Sequence, residues 1–514
     1  MRDTTLRTAW LVAGVLAAWP AGGAAAATLS VGPGATYTTI PAAMAKAKPG
    51  DVVEVQGGQT YRGTITFRPE QGGMPGKPIT VRGIPVNGQR PILTGVGTGQ
   101  WDTMVVLLNA NHFVMESFEV VGDASADHEC VINKADDVLL RDFVIHDCHR
   151  LGGLFATDTE SGSITVEYSE FFHNGDGDYS HQLYMATDEA MYPGSVFRMR
   201  FCYVHDATGG NSVQSRAERN EIYYNWIEGA MYHELDLIGA DGAPEALARE
   251  DSDIVGNVLV KTSSWRIARI GGDGSGNSAG RYRFVNNTMI LADSSTAAIG
   301  LQETVQSLEM YNNVIYGSKS GFRVYRVDEQ SGPAAMLFGS NNWVLTGTTS
   351  IPASWTATTM GTSPMWVGLA TNDLRPAAGS PLIGAGTTAT SAGASGLPAP
   401  LALPLYTPPQ RRLLALDTAQ TRSSGAAPSI GAFEENAGEP GPPPATGGTI
   451  GSGSGGEGAG SPLGAGGAGG AGGHALTSEG GSSCALVAAK PSLGTVLAAT
   501  SLLGAVIARG RRRR

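Results

Sequence analysis

The sequence predicts an all-β protein folded as a parallel β-helix, a solenoid in which every turn of the chain adds short strands to the same sheets. Short apolar segments recur from about residue 112 onward at a long spacing that is irregular but stays near 23–32 residues. Within each repeat lies a second short segment in which apolar and polar residues alternate, and no helical periodicity separates the two. Short strands at such a period are typical of a β-solenoid.

The recurring segments themselves support this prediction. A leucine-rich repeat would need a different signature, and a propeller blade would need a longer period. The asparagines of the repeated Asn-Asn pairs suit a left-handed bend, and their amides can form a ladder between coils. Segments of the first kind are SFEVVG at 117, DFVIHD at 142, SEFFHN at 169, FCYVHD at 201, YNWIEG at 224, GNVLVK at 256, NNTMIL at 286, NNVIYG at 312 and NNWVLT at 341. Segments of the second kind are HQLYMA at 181, NSVQSR at 211, ELDLIG at 234, AIGLQE at 298 and GFRVYR at 321.

The solenoid is predicted to occupy residues 28–436. At its start, an Ala-rich stretch that ends before Pro49-Gly50 predicts a short helix that covers the first coil. At its end, GSPLIGAGT at 379 and APSIGAFE at 427 are predicted to be closing strands.

The segments outside the solenoid predict export and attachment. Residues 1–27 have the positive, apolar and small-residue regions of a secretory signal peptide. Residues 437–483 are rich in Gly, Pro and Ser and predict a disordered linker. Residues 484–514 combine Cys484, an apolar stretch long enough to span a membrane, and a terminal Arg cluster. We therefore expect a membrane contact through this C-terminal segment.

Charge and cysteine content restrict which partners, disulfides and metal sites this protein is expected to have. The formal net charge is −11, and basic residues are scattered outside the C-terminus, so no nucleic-acid partner is expected. We expect a monomer. Cys130 and Cys148 are predicted to lie on adjacent coils, where they either pair or remain buried thiols. The cysteine spacing does not match a zinc site.

Several motifs resemble known families. NNVIY at 312 and VIHD at 144 are similar to coils of the pectate-lyase-like right-handed parallel β-helix superfamily. SPLIGAG and SIGAFE resemble elements that end many of its bacterial members, although Ser429 replaces an Asp. This resemblance implies a right-handed solenoid.

Two narrower resemblances concern the middle and the end of the chain. The segments at 181, 211 and 234 resemble a group of exported β-helix proteins that carry a VKSRA strand, with Gln214 in place of its Lys. The tail is similar to C-terminal sorting signals of myxobacterial type. The two together imply export through the Sec pathway and a place at the cell surface or outer membrane, with the tail either retained or cleaved.

Alignment of the second segments predicts a polar surface on one flank. Leu183, Val213 and Leu235 fall in register and point inward, so the residues between them point outward. Three sets of polar residues then stack between coils. One column holds Tyr184, Gln214 and Asp236, with Arg266 expected next; a flanking column holds His181, Asn211 and His233; and Arg216 lies two residues beyond Gln214.

These residue types suit an acidic sugar polymer. A β-elimination needs a cation at the uronate carboxylate, a base for the C5 proton and an acid for the leaving oxygen. Arg216 and Arg266 are the candidate cations, His181 or His233 the base, and Tyr184 the acid. Tyr184, Asn211 and Gln214 are the candidate substrate-binding residues, and Asp236 joins the catalytic set.

Other interpretations stay open at this point. Glu234 and Asp236 are two residues apart, a spacing that would allow hydrolysis by paired carboxylates if both pointed outward. The polar columns are also what an ordinary solenoid surface contains. The two functional hypotheses are therefore an exported enzyme that acts on an extracellular, acidic polysaccharide, more in the manner of a lyase, and a non-catalytic glycan-binding or adhesion protein.

Two further clusters invite a metal. Asp176 and Asp178, in NGDGDYSH, could supply carboxylate oxygens to Ca²⁺, and the alternative is a metal-free Asp-Gly turn. His146, His173 and His205 occur at one repeat position in three coils. Stacked histidines suit a metal, whereas a following Asp or Asn suits a strand-to-turn junction, which we prefer.

Overall fold

The computed structural model is a right-handed parallel β-helix of about ten turns, as predicted. It describes residues 25–95, 105–122, 129–150, 152–240, 249–273, 278–328, 334–390 and 403–437. The predicted signal peptide lies outside these residues except for 25–27, and the predicted linker and C-terminal segment lie outside them except for residue 437. Among the residues that the structure describes, no helix is long and apolar enough to cross a bilayer.

The regular elements are short, and strands dominate. The helical elements are α1 (Ile40–Met44) and two single 3₁₀ turns, Pro69–Gln71 and Leu369–Thr371. The strands are β1 (Thr28–Val31), β2 (Val52–Gln56), β3 (Thr60–Arg62), β4 (Ile65–Phe67), β5 (Ile79–Ile84), β6 (Ile92–Thr94), β7 (Val106–Leu108), β8 (Phe113–Glu116), β9 (Glu119–Val121), β10 (Val131–Asn133), β11 (Val138–Arg141), β12 (Val144–His146), β13 (Gly152–Ala156), β14 (Ile164–Glu167), β15 (Glu170–Phe172), β16 (His181–Ala186), β17 (Phe197–Arg200), β18 (Tyr203–His205), β19 (Val213–Arg216), β20 (Arg219–Tyr223), β21 (Trp226–Glu228), β22 (Leu235–Ile238), β23 (Asp251–Val255), β24 (Val258–Val260), β25 (Ala268–Gly271), β26 (Arg281–Val285), β27 (Thr288–Leu291), β28 (Ala297–Leu301), β29 (Ser307–Tyr311), β30 (Val314–Gly317), β31 (Arg323–Val327), β32 (Met336–Ser340), β33 (Trp343–Leu345), β34 (Thr359–Gly361), β35 (Trp366–Gly368) and β36 (Asp373–Pro376).

Each coil contributes one strand to each of three parallel sheets. Sheet A has 12 strands, from β1 to β32, sheet B has 12, from β3 to β34, and sheet C has 10, from β4 to β31. A third strand in each coil therefore accompanies the two kinds of segment seen in the sequence. The small antiparallel pair β35–β36 follows the last coil.

Inward side chains stack coil upon coil to form the core. In sheet C, Leu183 lies opposite Val213, and Val213 opposite Leu235, so the predicted register is confirmed. All three are fully buried, and one continuous cluster extends from Leu29 to Trp355. Because each buried aliphatic side chain stabilises the fold by roughly 1.5–3 kcal/mol, this column is a main source of stability.

An asparagine ladder fixes the corner between sheets A and B. Asn257 Oδ1 accepts the Asn225 backbone N–H at 2.8 Å and its side-chain amide at 3.0 Å. Asn257 Nδ2 in turn donates to Asn287 Oδ1 at 3.0 Å. Asn313 and Asn342 continue the ladder, while the preceding asparagines of the Asn-Asn pairs, such as Asn286 with φ of 54°, make the left-handed bend. Both roles predicted for these asparagines are confirmed.

The outer face of sheet A carries a charge ladder, which we define as Arg82, Glu116, Arg141, Glu167 and Arg200. These residues lie opposite one another in consecutive coils, and the signs alternate. Arg200 Nε lies 2.6 Å from Glu167 Oε2, and Arg82 pairs with Glu116. Further along the sheet, Asp253 pairs with both Arg219 and Arg283. The ladder has three guanidinium groups and two carboxylates, and Asp417 supplies a third carboxylate by pairing with Arg141, so the charges balance.

The two ends of the solenoid differ in how well they were predicted. Helix α1 packs on β1, β2 and β4 and buries Ile40 and Met44, so the predicted cap is confirmed. The predicted closing strands at 379 and 427 are wrong, because both segments are irregular. Residues 403–437 instead run along the flank, where Leu414 packs against Phe201 and Tyr224 and Asn286 donates to Ser429 O at 2.8 Å.

The structure shows which of the two alternatives for Cys130 and Cys148, a disulfide or buried thiols, is present. Cys130 and Cys148 form a disulfide, with their Cα atoms 5.7 Å apart. Cys202 is a buried thiol. Cys484 lies outside the described residues.

Candidate functional site

Four adjacent strands of sheet C, β16, β19, β22 and β25, bring most of the predicted site residues together. Tyr184 lies opposite Gln214, and Gln214 opposite Asp236, so this predicted column is confirmed. The next member is Arg269, which lies opposite Asp236. We define the polar wall as His181, Tyr184, Asn211, Gln214, Arg216, His233, Asp236 and Arg269.

The prediction that Arg266 continues the column is wrong. Arg266 precedes β25, which begins at Ala268, and therefore belongs to the turn before the strand. The alignment of apolar residues did not show where this strand starts, since Ile267 and Ala268 are both apolar and both buried.

The polar wall is also far less exposed than predicted. His181 and Arg216 are 1% exposed, and Asp236 is 0% exposed. Tyr184 is half-buried, and the Arg269 side chain is 17% exposed. Buried polar groups of this kind have to be satisfied by one another, and the hydrogen bonds show how.

Asn211 is the hub of the polar wall. Its Nδ2 donates to Asp236 Oδ2 and to Gln214 Oε1, both at 3.0 Å. Its Oδ1 accepts the backbone N–H of His233 at 3.0 Å, which fixes the orientation of the amide. Its own backbone N–H donates to Nδ1 of His181 at 2.9 Å. One side chain and its backbone thus connect both histidines to the central carboxylate.

These contacts assign opposite tautomers to the two histidines. Nδ1 of His233 lies 3.1 Å from Asn211 Oδ1, which is an acceptor, so Nδ1 carries the proton and Nε2 has a lone pair. Nδ1 of His181 accepts from Asn211, so its proton is on Nε2.

Both imidazoles are neutral. Burial and the nearby Arg269 and Arg216 lower the pKa of His181 to about 3. Burial together with Arg269, Arg266 and Lys261 lowers the pKa of His233 well below its usual value. Among the described residues, His233 Nε2 is a buried atom with no hydrogen-bond partner. A lone pair that is desolvated and unsatisfied is unusual, and it marks His233 as the chemically distinctive member of the wall.

The charged members of the wall are paired. Arg269 makes a bidentate pair with Asp236, with both N–O distances 2.6 Å. Arg216 donates from Nε to Tyr184 Oη at 3.0 Å, from Nη1 to Gly239 O at 2.8 Å and from Nη2 to Asp273 Oδ2 at 2.6 Å. Because Arg216 uses all three nitrogens within the protein, it positions Tyr184 and is not a free cation for a substrate.

A second group of charged residues adjoins the wall. Arg266 and Arg326 both pair with the carboxylate of Asp328. Gly300 allows this arrangement, because a Cβ there would lie 2.7 Å from Arg266 Cδ. Two guanidinium groups thus share the carboxylate of Asp328.

The paired-carboxylate hypothesis fits poorly. Glu234 is 0% exposed and lies 3.0 Å from Lys261 Nζ, and it also accepts from Ser212 and from the Ala230 backbone. Asp236 is held by Arg269 and Asn211. Each carboxylate is neutralised by its own cation, which is not the arrangement of an acid and a base that share a substrate.

Comparison with known proteins gives a similarity of fold. No family model matches the chain, and no curated protein matches it. A crystal structure of a pectate lyase is similar at 17% identity over 81% of this chain and 98% of its own, with a TM-score of 0.49. An alginate lyase from a Paenibacillus species is 14% identical over 64% of this chain and 97% of its own, with a TM-score of 0.35. The A-module of a mannuronan C-5 epimerase from Azotobacter vinelandii is 13% identical over 61% and 91%, with a TM-score of 0.35.

The chain is a right-handed parallel β-helix. At these identities the similarity extends no further than the fold, so the chemistry of the polar wall rests on its own residues.

Two aromatic residues at the edge of the wall were missed by sequence reasoning. Trp265 is 41% exposed, and its ring lies 5.6 Å from that of His233. The Tyr232 ring lies 5.0 Å from Trp265 at an interplanar angle of 82°. Both occur in turns before strands, where the alternation that revealed the wall does not apply. We call this pair the aromatic corner.

The predicted metal sites differ from a typical metal centre. Asp176 and Asp178 are exposed, and Asp178 accepts the hydroxyl of Tyr232. Within the described residues, no group of three or more His, Cys, Asp or Glu is arranged to hold a metal ion. Calcium at Asp176 and Asp178 stays a prediction.

The histidine column is only partly as predicted. His146 and His205 both lie opposite Phe172, whereas His173 is one residue further on with φ of 52°. His146 is hydrogen bonded to Asp147 at 2.7 Å and Glu119 at 3.3 Å. His205 has an equivalent pair of carboxylate partners. This pattern matches the strand-to-turn role.

Proposed function

We propose that this protein acts on an acidic polysaccharide and cleaves it by β-elimination at the polar wall. The observation that carries the proposal is the buried Nε2 lone pair of His233, which has no hydrogen-bond partner among the described residues. Arg269 and Arg266 are near enough to lower the pKa of this imidazole. A base next to cations is what abstraction of a proton α to a carboxylate requires.

The cations are assigned to the substrate carboxylate. Arg269 is partly exposed, and Arg266 lies beside it in the turn that precedes β25. Arg269 binds Asp236 through Nε and Nη2, so Nη1 is the nitrogen left to donate to a substrate carboxylate. Such a charge-assisted hydrogen bond withdraws charge from the carboxylate, which makes the C5 proton more acidic. Arg269 thus takes the role that the sequence suggested for Arg216.

The proton transfers then follow from the tautomers. His233 Nε2 accepts the C5 proton, whose electron pair forms the C4–C5 double bond as the C4–O bond breaks. Tyr184, half-buried and held by Arg216, donates its hydroxyl proton to the leaving oxygen. His181 cannot be the base, because its Nδ1 already accepts a hydrogen bond and its Nε2 carries the proton.

The test is unsaturated-product formation by the full-length protein with a panel of acidic glycans. We expect absorbance from new C4–C5 double bonds with the wild type, and a loss of at least about a hundredfold in His233→Gln and Tyr184→Phe. His112→Gln is the matched control, since His112 pairs with Asp137 on sheet A, away from the wall. Absence of product with every glycan, with and without Ca²⁺, would overturn the proposal.

The pH profile gives an independent signature. An ordinary catalytic histidine loses its lone pair as the pH falls through about 6.5. The pKa of His233 is well below that value, so the rate should stay level through this range. A rate that falls tenfold per pH unit below 6.5 would contradict the assignment of His233 as the base.

A second candidate is a surface protein that binds a glycan without cleaving it. The burial of His181, Arg216 and Asp236 favours it, because these groups satisfy one another. Glycan retention by wild type and by His233→Gln, without product from either, would support binding alone. Retention by His233→Gln with loss of turnover would support the enzyme.

Location and partners form part of the proposal. We infer that the chain is exported, acts as a monomer and is held at the cell surface through residues 484–514. The Cys130–Cys148 disulfide supports an oxidising compartment, since disulfides persist in exported proteins. Cell fractionation with and without residues 484–514 tests attachment, and gel filtration tests the oligomeric state.

A further inference from the structure

The aromatic corner is built on a rigid backbone at the rim of the polar wall. Ser295 Oγ donates to Trp265 O at 3.0 Å, and Ser263 Oγ donates to Met231 O at 3.0 Å. These bonds tie the turns of adjacent coils together. The backbone at Trp265 is therefore held in place, which lowers the entropy cost of ordering this turn when a ligand binds.

Tyr232 spans the neighbouring coil. Its backbone N–H donates to Gly210 O at 2.9 Å, while its hydroxyl donates to Asp178, one coil further along. The position of Gly210 has to be a glycine, because a Cβ there would lie 2.1 Å from His181 Nδ1. Because Gly210 has no side chain, its coil leaves room for the ring of Tyr232 to lie across it. Burial and the carboxylate of Asp178 raise the pKa of Tyr232 to about 12, so the hydroxyl stays protonated.

The two rings meet nearly at right angles and leave a corner open to solvent. Aromatic rings offer large apolar faces with polar edges, and sugar rings have apolar C–H faces that stack on them. The corner is continuous with the proposed base, because Trp265 contacts both Tyr232 and His233. The ring centroids of Trp265 and His233 are 5.6 Å apart, about the length of one sugar residue, so a sugar stacked on Trp265 would be a neighbour of the one at His233.

The charges around the corner restrict which sugar fits. Asp176 and Asp178 are exposed on the Tyr232 side, and a uronate there would be repelled. Arg269 and the Arg266–Arg326 group lie toward the other side, where a uronate would be attracted. The side of the site near Asp178 therefore favours a neutral sugar, and the side near Arg269 favours a uronate.

We propose that the aromatic corner is a saccharide-binding subsite that stacks a neutral sugar next to the uronate at His233. This deepens the proposed function and rests on it: the substrate class is a heteropolysaccharide in which uronate and neutral sugars are neighbours. A polymer made of uronate alone would place a carboxylate beside Asp178 and would bind less well.

The experiment measures binding of the full-length protein by affinity electrophoresis in gels that contain hyaluronan, where uronate alternates with a neutral sugar, or polygalacturonate. Trp265→Ala should weaken retention by hyaluronan about tenfold, and Trp265→Phe should keep most of it. The matched control is Met360→Ala, which removes an apolar side chain from sheet B that is at least as exposed as Trp265 (54% against 41%). Polygalacturonate should be retained less than hyaluronan.

The outcomes separate the two proposals. Wild-type retention that depends on Trp265, without any double-bond product, would support the subsite and overturn the β-elimination. Product formation with retention that does not depend on Trp265 would overturn the subsite alone. Tighter retention by polygalacturonate, or none by hyaluronan, would overturn the assignment of a neutral sugar.

Discussion

The charge ladder of sheet A and the polar wall of sheet C are built by the same stacking of coils, yet they differ in the kind of buried atom that lacks a hydrogen-bond partner among the described residues. In the ladder this atom is Arg141 Nε, which still has an ion-pair partner in Glu167 Oε1 at 3.4 Å. In the ladder, the signs alternate, and each carboxylate lies between guanidinium groups of adjacent coils, as Glu167 does between Arg141 and Arg200. In the wall, Asp236 is likewise paired, but Asn211 holds two neutral histidines beside it. His233 Nε2 has no partner among the described residues.

The difference teaches how to separate structure from function in a solenoid. Stacking in register places like positions side by side, so a polar column has to alternate in charge or be neutral to be stable. A column that satisfies itself needs no function to explain it. A buried atom that stays unsatisfied within a satisfied network does need an explanation, and a ligand or a reaction supplies one.

The largest expected effect tests the claim that sheet A is structural. Asp253→Ala would leave Arg219 and Arg283, both nearly fully buried, without their common carboxylate. Breaking such a buried pair costs about 3–5 kcal/mol of unfolding free energy, measured by urea denaturation. Asp293→Ala, which breaks an exposed pair with Lys319, is the control. A loss under about 1 kcal/mol for Asp253→Ala would contradict the comparison.

Removal of the hub should have the next largest effect. Asn211→Ala leaves Asp236 Oδ2 without its amide donor and releases the ring of His233, so we expect a loss of about 2–3 kcal/mol. The 15N resonances of labelled histidine report the tautomer directly. The wild type should show one buried histidine protonated at Nδ1 and one at Nε2, and the variant should lose the first signal. Two buried histidines with the same tautomer in the wild type would contradict the hydrogen bonds that we assign to the polar wall.

His233→Gln should cost little stability despite the burial of the residue. Glutamine retains a donor for Asn211 Oδ1, and Nε2 has no described partner to lose, so the expected loss is about 1 kcal/mol. The same variant should abolish turnover. A loss above about 3 kcal/mol would make His233 a structural residue like the members of sheet A.

An exposed pair at the start of the charge ladder should matter least to stability. The Arg82 side chain is 43% exposed, so Arg82→Ala should cost less than about 1 kcal/mol. The loss should shrink further in high salt, which screens exposed pairs. Thermal denaturation at two salt concentrations measures the loss of stability and its dependence on salt. A large loss that salt does not change would contradict the assignment of Arg82–Glu116 as an exposed pair.

A carboxylate beyond the end of β16 offers a small, pH-dependent effect. Burial and the neighbouring Glu218 raise the pKa of Glu189 to about 8, from an ordinary value of 4.5. Between these values the folded state holds a proton that the unfolded state has released, so this group lowers stability as the pH rises.

Glu189→Gln should therefore raise the melting temperature above pH 8 and leave it nearly unchanged below pH 4.5. Glu160→Gln, at an exposed position, is the matched control. An equal gain at both pH values would contradict the assignment.

Much of the polar wall could be predicted because side chains alternate along a strand. The apolar register of Leu183, Val213 and Leu235 was enough to place Tyr184, Gln214 and Asp236 in one column. The same rule failed at the next coil, where the strand begins after a turn whose length the sequence does not reveal, so Arg266 was chosen in place of Arg269.

The sequence by itself determined the period, the inward columns and therefore the β-helix, since both depend on alternation within short segments. Only the tertiary structure decided that the wall is buried, that Asn211 assigns the tautomers, and that Trp265 stands beside His233. The physical reason is that burial and hydrogen bonding depend on which coils meet, and these contacts join residues far apart in the chain.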